Sequence, residues 1–130
     1  MRVNMSYDKP GNAWIIRCEH AILRTPGDVD EWKALVVAEV DKAAGPWLLE
    51  LDGLEVDMSV KDAYSRLLRE LDQRYPPGLV PYGRGRGFTN TVLMLDGLRR
   101  PSRTIYPDRA SAVAALTQGR HGPAPQRHAP

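Results

Sequence analysis

Residues 47–60 have the sequence WLLELDGLEVDMSV, in which a short apolar run leads through a turn to the start of a helix. The run Trp47–Leu51 lies between turn signals, a pattern typical of a buried strand. Asp52-Gly53 closes that strand. Residues 60–75 then place apolar side chains at helical spacing and end before Pro76-Pro77, so this part of the chain predicts a strand followed by a helix.

The same alternation of strand and helix signals continues on both sides of this stretch. Upstream, the turn-rich residues 7–12 separate two extended runs and predict a hairpin from about Arg2 to Glu19. Asp28 then fits a helix cap, and an apolar stripe from Trp32 to Ala43 follows it and ends before Gly45-Pro46. Downstream, the signals predict a strand at 79–82, a helix at 88–98, a strand at 103–106 and a last helix capped by Asp108.

Strands that alternate with helices in this way predict an α/β fold. We expect a mixed sheet of about four to five strands covered by about four helices, all within a single domain. That domain occupies residues 1–117. Residues 118–130 consist mostly of Gln, Gly, Arg, His, Pro and Ala, and we expect them to form a disordered C-terminal tail.

Composition and charge limit the class of protein. Of the 130 residues, 42% are hydrophobic and 26% are charged, which excludes a wholly disordered chain, a collagen and a coiled coil. The net charge is +2, but residues 1–75 carry −4 and residues 76–130 carry +6. There is no apolar signal core near Met1, and no apolar run approaches the roughly 20 residues that span a bilayer. With one cysteine, Cys18, and no zinc-ligand spacing, the sequence predicts a soluble cytoplasmic protein with no membrane partner.

Three local patterns resemble the STAS family, the domain of sulphate transporters and anti-sigma factor antagonists. Residues 47–60 are similar to the family's buried strand, its polar-Gly turn and its Asp-Ser-Ser-Gly loop. Residues 104–116, TIYPDRASAVAAL, are similar to its last strand, acidic cap and alanine-rich helix, and the predicted helices follow the hairpin in the family's order. The likeness covers residues 3–117 and implies a STAS-like sheet and helix arrangement.

The loop that this resemblance singles out is degenerate. Asp57 and Ser59 match the family's loop, whereas Met58 and Val60 replace its first Ser and its Gly, and one residue is missing between Gly53 and Asp57. In bacterial anti-sigma factor antagonists, the second serine of the loop is phosphorylated by a partner kinase, and the matching position here is Ser59. The resemblance therefore implies a non-catalytic regulatory module with a kinase or anti-sigma-type regulator as its protein partner.

A serine at the start of a helix suits such a switch. Its phosphate would meet free backbone N–H groups and the positive end of the helix dipole. A charge of about −1.5 to −2 would also reshape a binding surface. The alternative is that Ser59 only caps the helix, with Asp62 at the third position, and that Asp57 is a turn or cap residue.

The segment Gly83-Arg84-Gly85-Arg86-Gly87 is a candidate anion-binding site. Its glycines permit close approach of the backbone to a ligand, and guanidinium groups recognise phosphate and carboxylate. Because it connects a predicted strand to a predicted helix, we expect it beside the Ser59 loop at one edge of the sheet. One alternative is a flexible, solvated segment. Another is that the domain binds or senses a small anionic or apolar molecule at this edge.

No other group of residues in the sequence predicts a metal, cofactor, catalytic or nucleic-acid-binding site. His20, His121 and His128 are far apart in the sequence, so we expect no metal and no cofactor. No set of nucleophile, acid and base accompanies a catalytic motif, so we expect no enzyme activity and assign no catalytic residue. The arginines of residues 99–103 have few aromatics near them and no nucleic-acid-binding motif, so the pattern favours a protein partner over nucleic acid. The oligomeric state stays open.

Overall fold

The computed structural model describes residues 1–76, 78–99 and 104–117, which form an α/β fold as predicted. The strands are β1 (Arg2–Asp8), β2 (Ala13–Glu19), β3 (Ala21–Leu23), β4 (Trp47–Glu50), β5 (Leu54–Val56), β6 (Leu79–Tyr82) and β7 (Arg86–Gly87). The helices are α1 (Pro26–Val40), α2 (Lys61–Arg74), α3 (Thr89–Arg99) and α4 (Arg109–Thr117), and a 3₁₀ turn at Met58–Val60 precedes α2. The tail expected at residues 118–130 lies outside the described residues.

One sheet has four strands in the order β1-β2-β4-β6. β1 and β2 are antiparallel and form the predicted hairpin, while β2, β4 and β6 run parallel, so the sheet is mixed as expected. Pro81 turns its carbonyl away from β4 and accepts the Tyr106 N–H at 3.1 Å, so the missing proline N–H breaks no bond to β4.

The prediction of a strand at residues 103–106 is wrong for residues 104–106, the part of that range that the structure describes. Tyr106 forms only an isolated parallel bridge with Tyr82. Pro107 follows directly and lacks the N–H with which a strand would continue its ladder, so the pairing does not extend.

A second sheet, which the sequence patterns did not predict, has three parallel strands in the order β3-β5-β7. Its strands continue those of the first sheet. β2 passes into β3 through His20, β4 into β5 through residues 51–53, and β6 into β7 through residues 83–85. We call these three connections the strand joint. Two of its residues, His20 and Gly83, have positive φ angles of 51° and 89°, which mark sharp local changes of chain direction.

Helices cover both faces of the four-stranded sheet. On one face, the fully buried side chains of α1 and α2 include Trp32, Val36 and Tyr64, which confirms the predicted apolar stripes. On the other face, Ala112 of α4 belongs to a separate buried cluster with Ile15 of β2. Within the described ranges, no helix is both long and apolar enough to cross a membrane.

Helix α1 begins about one turn earlier than predicted. Its N-cap is Thr25 and not Asp28, because Thr25 Oγ1 accepts the Asp28 N–H at 3.1 Å and the Asp28 carboxylate accepts the Thr25 N–H at 3.0 Å. Pro26 takes the first helical position, where its missing N–H costs no helical hydrogen bond. The helix ends at Val40, so Ala43 of the predicted stripe lies beyond it.

The single cysteine is a core residue. Cys18 is 5% exposed, and its Sγ accepts a hydrogen bond from the Trp32 Nε1–H at 3.3 Å. Burial raises the pKa of the thiol to about 11. The thiol is therefore protonated at neutral pH and is a poor nucleophile.

Replacing Gly53 by alanine tests the strand joint. A Cβ at this position would lie 1.7 Å from the carbonyl oxygen of Cys18, so two backbone segments would have to move apart. We expect Gly53→Ala to lower the free energy of unfolding by about 1–3 kcal/mol, the usual cost of overpacking. Urea denaturation followed by tryptophan fluorescence measures this loss. Gly27→Ala is the matched control, because its Cβ would meet nothing nearer than Thr25 Oγ1 at 3.6 Å. Equal urea midpoints for the two variants would contradict the role given to Gly53.

Candidate functional site

The loop between β5 and α2 is organised by Asp57. Its backbone N–H donates to the Leu23 carbonyl oxygen at 2.9 Å, which anchors the loop to β3. Its carboxylate accepts the Ser59 N–H at 3.0 Å and so caps the 3₁₀ turn. Asp57 is therefore a cap, whereas the alternative that Ser59 caps the helix with Asp62 at the third position is wrong. Helix α2 begins after Val60 without a side-chain cap of its own, and the 3₁₀ turn that leads into it is capped by Asp57.

The Ser59 hydroxyl lies on the surface between two acceptors. Its Oγ is 2.5 Å from Asp57 Oδ2 and 3.1 Å from the Arg24 carbonyl oxygen. A hydroxyl has one proton, so it donates to only one of these acceptors at a time. The Ser59 side-chain hydrogen bond, followed by the Ser59 N–H and the nearby Arg24 charge, lowers the pKa of Asp57 below its usual value. The carboxylate is thus firmly ionised at neutral pH.

The two residues that depart from the family's loop have opposite environments. Met58 is 57% exposed, so it presents an apolar side chain beside the Ser59 hydroxyl. Val60 is buried in the core and has a φ of −115°. A β-branched residue adopts that angle without strain, so the backbone here does not require the glycine that the family's loop carries.

A cation that interacts with the Ser59 loop is Arg24, whose charge helps to lower the pKa of Asp57 and which the sequence reasoning missed. Arg24 follows β3 directly, and its Nη2 lies 4.0 Å from Glu55 Oε2 of β5. Leu23 of β3 pairs with Val56 of β5, so the residues that follow them, Arg24 and Asp57, lie side by side just past the ends of these strands. The only sequence signal was an apolar run of three residues before Arg24, which is too short to identify a strand.

The Gly-Arg segment does lie beside the strand that leads to Ser59. In the three-stranded sheet Gly87 pairs with Val56, and the Phe88 N–H donates to the Val56 carbonyl oxygen at 2.8 Å. Glu55 pairs with Arg86 in the same register. The expected neighbourhood of the two segments is therefore present, although no described contact joins either arginine side chain of the segment to Ser59.

The backbone of the Gly-Arg segment is tied down rather than open to a ligand. The Arg84 N–H donates to Asp52 Oδ1 at 2.9 Å, and the Gly85 N–H donates to Asn90 Oδ1 at 2.7 Å. Asn90 Nδ2 also donates to the Gly83 carbonyl oxygen at 3.1 Å. These bonds argue against a flexible segment, whereas the exposure of Arg84, Arg86 and Gly87 agrees with a solvated one. The same bonds also occupy the backbone donors that an anion would use, so any anion contact falls to the guanidinium groups.

The two arginines of the segment line different cavities. Arg86 lies with His20, Asp52 and Glu55 around a cavity of about 270 Å³. Arg84 lies at a cavity of about 740 Å³ that α3 borders. The structure therefore does not bring the two guanidiniums to one cavity.

The described residues give little support for other chemistry. Across residues 1–76, 78–99 and 104–117, no three His, Cys, Asp or Glu side chains cluster so as to hold a metal ion. His121, His128 and the side chains of the arginines at 99–103 lie outside what the structure describes. No family model, curated protein or solved structure matches the chain. The likeness to the STAS family therefore stays a prediction from the sequence motifs.

Replacing Asp57 by alanine tests the loop's cap. We expect Asp57→Ala to lower the urea midpoint at pH 7, because the variant loses the acceptor of the Ser59 N–H. The pKa of Asp57 is lowered in the folded protein, so its contribution is present above the unfolded value near 3.8 and is lost as the pH falls. The difference between wild type and Asp57→Ala should therefore shrink when unfolding is measured at about pH 3.

Asp62→Ala serves as the matched control for this measurement. Asp62 is an exposed carboxylate in the same segment, and its described partner is the neighbouring Lys61 Nζ at 3.2 Å. Exposed pairs of this kind contribute little to stability, so its midpoint should stay close to that of wild type. Equal losses for the two variants, or a loss at Asp57 that is independent of pH, would contradict the capping role.

Proposed function

We propose that this chain is a non-catalytic regulatory protein-interaction module, similar to an anti-sigma factor antagonist, that is switched by phosphorylation of Ser59. The observation that carries the proposal is the position of the Ser59 hydroxyl. It is exposed at the start of α2, hydrogen-bonded to the carboxylate that caps the preceding turn, and close to Arg24. A kinase can reach a hydroxyl in that position. Phosphorylation of the hydroxyl would add charge beside Asp57 and Arg24, whose charges already interact.

Phosphorylation would break the present arrangement of the loop. Once Oγ carries a phosphate it no longer donates to Asp57, and the ester bears about −1.5 to −2 charges at neutral pH. That charge would lie beside a carboxylate oxygen that is now 2.5 Å from Oγ. Like charges at such a distance repel strongly, so Asp57 would leave the Ser59 N–H and the phosphate could take its place.

Arg24 gives the phosphate a new partner. Its guanidinium lies 4.0 Å from Glu55, on an exposed surface where the ion pair is weak. A phosphate dianion is a stronger partner for a guanidinium than a single carboxylate is. Phosphorylation would thus exchange the Arg24–Glu55 pair for an Arg24–phosphate pair and release Glu55, so the modification alters charges across β3 and β5 as well as at the loop.

The surroundings of Ser59 suit a protein partner. Met58, next to the hydroxyl, is 57% exposed, and the side chains of Ile22 in β3 and of Phe88, which directly follows β7, are each 36% exposed. Methionine adapts its shape and is common at binding surfaces. A partner that packs on these apolar side chains would bury Ser59 as well, and a phosphate there would oppose binding because burying its charge is costly.

The in-cell test uses the whole chain expressed in its own organism. We expect mass spectrometry to find one phosphate on Ser59 and none on Ser65, a half-buried serine of α2 whose hydroxyl bonds to Arg69. We also expect the Ser59→Ala chain to retain its protein partner and Ser59→Asp to bind it more weakly, because the carboxylate imitates part of the phosphate charge. Absence of Ser59 phosphate in all growth phases, together with equal partner binding by both variants, would contradict the proposal.

A second test needs no partner. In a chain with phosphoserine incorporated at position 59, the second pKa of the phosphate, ordinarily about 6, is measured by phosphorus NMR. We expect Arg24→Gln to raise this pKa, because a nearby positive charge favours the dianion. Arg74→Gln, which removes an exposed arginine at the other end of α2, is the control and should leave the pKa unchanged. Equal phosphate pKa values in the two variants would exclude the Arg24 contact.

A further inference from the structure

A cavity of about 740 Å³ lies between the Gly-Arg segment, helix α3 and the segment that leads into α4. Its volume is within the range of about 300–1,000 Å³ that is typical of small-molecule sites. None of the described functional contacts of Ser59 involves this cavity. What this cavity binds is therefore a question separate from the phosphorylation of Ser59.

Most of the cavity wall is apolar. Leu93 and Met94 of α3 face Ile105 and Pro107 of the segment before α4. Met94 is 66% exposed, an unusual position for a large apolar side chain in the first turns of a helix that packs on the core. A ligand with an apolar body would remove this surface from water, and that burial would favour binding.

Among the lining residues that the structure describes, one carries a charge, and it is positive. Arg84 lines the cavity, and the structure gives its guanidinium no carboxylate partner among the described residues. The lining residues that the structure describes include no Asp or Glu. Asn90, the polar side chain beside Arg84, already holds Gly85 and Gly83 through its own hydrogen bonds. The Arg84 N–H donates to the Asp52 carboxylate, which fixes the position of the Arg84 backbone at the cavity wall.

We propose that this cavity binds a small amphiphilic monocarboxylate, with its apolar body against Met94, Leu93 and Ile105 and its carboxylate on the Arg84 guanidinium. A single guanidinium matches one carboxylate, for which its planar donors are suited. A nucleotide or another ligand with several charges would leave anionic groups unpaired against an apolar wall, which is costly. The inference does not depend on the Ser59 switch, and it gives a location to the ligand-binding alternative that the sequence left open.

Calorimetry on the full chain with three probes tests the chemistry of the ligand. Octanoate has the charge and the apolar body, 1-octanol has the body alone, and acetate has the charge alone. We expect saturable octanoate binding, 1-octanol binding weaker by about tenfold, and no measurable acetate binding. No saturable octanoate binding, or 1-octanol binding as tight as octanoate, would overturn the proposal.

Two pairs of matched variants test the location. Arg84→Gln should weaken octanoate binding by about tenfold and leave 1-octanol unchanged, whereas Arg86→Gln, two residues away at the other cavity, should alter neither. Met94→Glu should abolish octanoate binding, because it places a like charge on the wall. Leu95→Glu puts the same charge on the next residue of α3, which is 58% exposed and does not line the cavity, and should bind as wild type does.

All four side chains are exposed, so the variants should keep the wild-type circular dichroism and urea midpoint. Equal losses of octanoate binding in Arg84→Gln and Arg86→Gln would show a diffuse charge effect and overturn the site. Equal losses in Met94→Glu and Leu95→Glu would overturn it as well. Ser59→Ala should bind octanoate as wild type does. A failure of the phosphorylation proposal can therefore be distinguished from a failure of the carboxylate-site proposal.

Discussion

The close contact of Gly53 with the backbone of Cys18 is the constraint on which the rest of the structure depends. There is no room for a Cβ at Gly53, so two neighbouring chain segments meet backbone to backbone where β4 leaves the four-stranded sheet. The Ala21 N–H donates to the Gly53 carbonyl oxygen at 3.1 Å, and the Leu51 N–H donates to the Tyr82 carbonyl oxygen at 2.9 Å. These bonds tie the three connections of the strand joint to one another, so β3, β5 and β7 leave it in register.

The strand joint also explains how an unevenly charged chain forms two separate candidate sites. The net-negative first part of the chain supplies Glu55 and Asp57 on β5 and its loop, and the arginine-rich second part supplies Arg84 and Arg86 around β7. The two parts meet where Glu55 pairs with Arg86. Arg84 lies one step earlier, at the joint itself, where Asp52 holds its backbone and its side chain belongs to the cavity beside α3.

The longer elements could be predicted from the sequence because local patterns determine them. The hairpin, the buried strand at Trp47 and the helices all have enough residues to show a period, and the structure contains them. The cap of α1 was misplaced because Thr25 and Asp28 both have an acidic residue three positions later, and Pro26 was the signal that distinguishes them. In the sequence Pro26 also fits a turn with Thr25 and Gly27, so the local pattern alone does not assign it to the helix.

The small sheet and the position of Arg24 could not be predicted in the same way. β3, β5 and β7 have two or three residues each, too few for any period to be visible. Their pairing depends on non-local backbone contacts such as Gly53 against Cys18, which no local pattern encodes. Arg24 lies near Ser59 because β3 pairs with β5, so its proximity to the loop cannot be predicted without the second sheet.

The buried Cys18 thiol has a practical consequence for anyone who studies this protein in solution. It is the one cysteine of the chain, and its burial and its pKa of about 11 keep it unreactive toward maleimides at neutral pH. A cysteine introduced at an exposed position would therefore take a spectroscopic label alone, with no need to delete the native residue. Fluorophores or spin labels can thus be attached at a chosen surface point while the Trp32–Cys18 contact in the core stays intact.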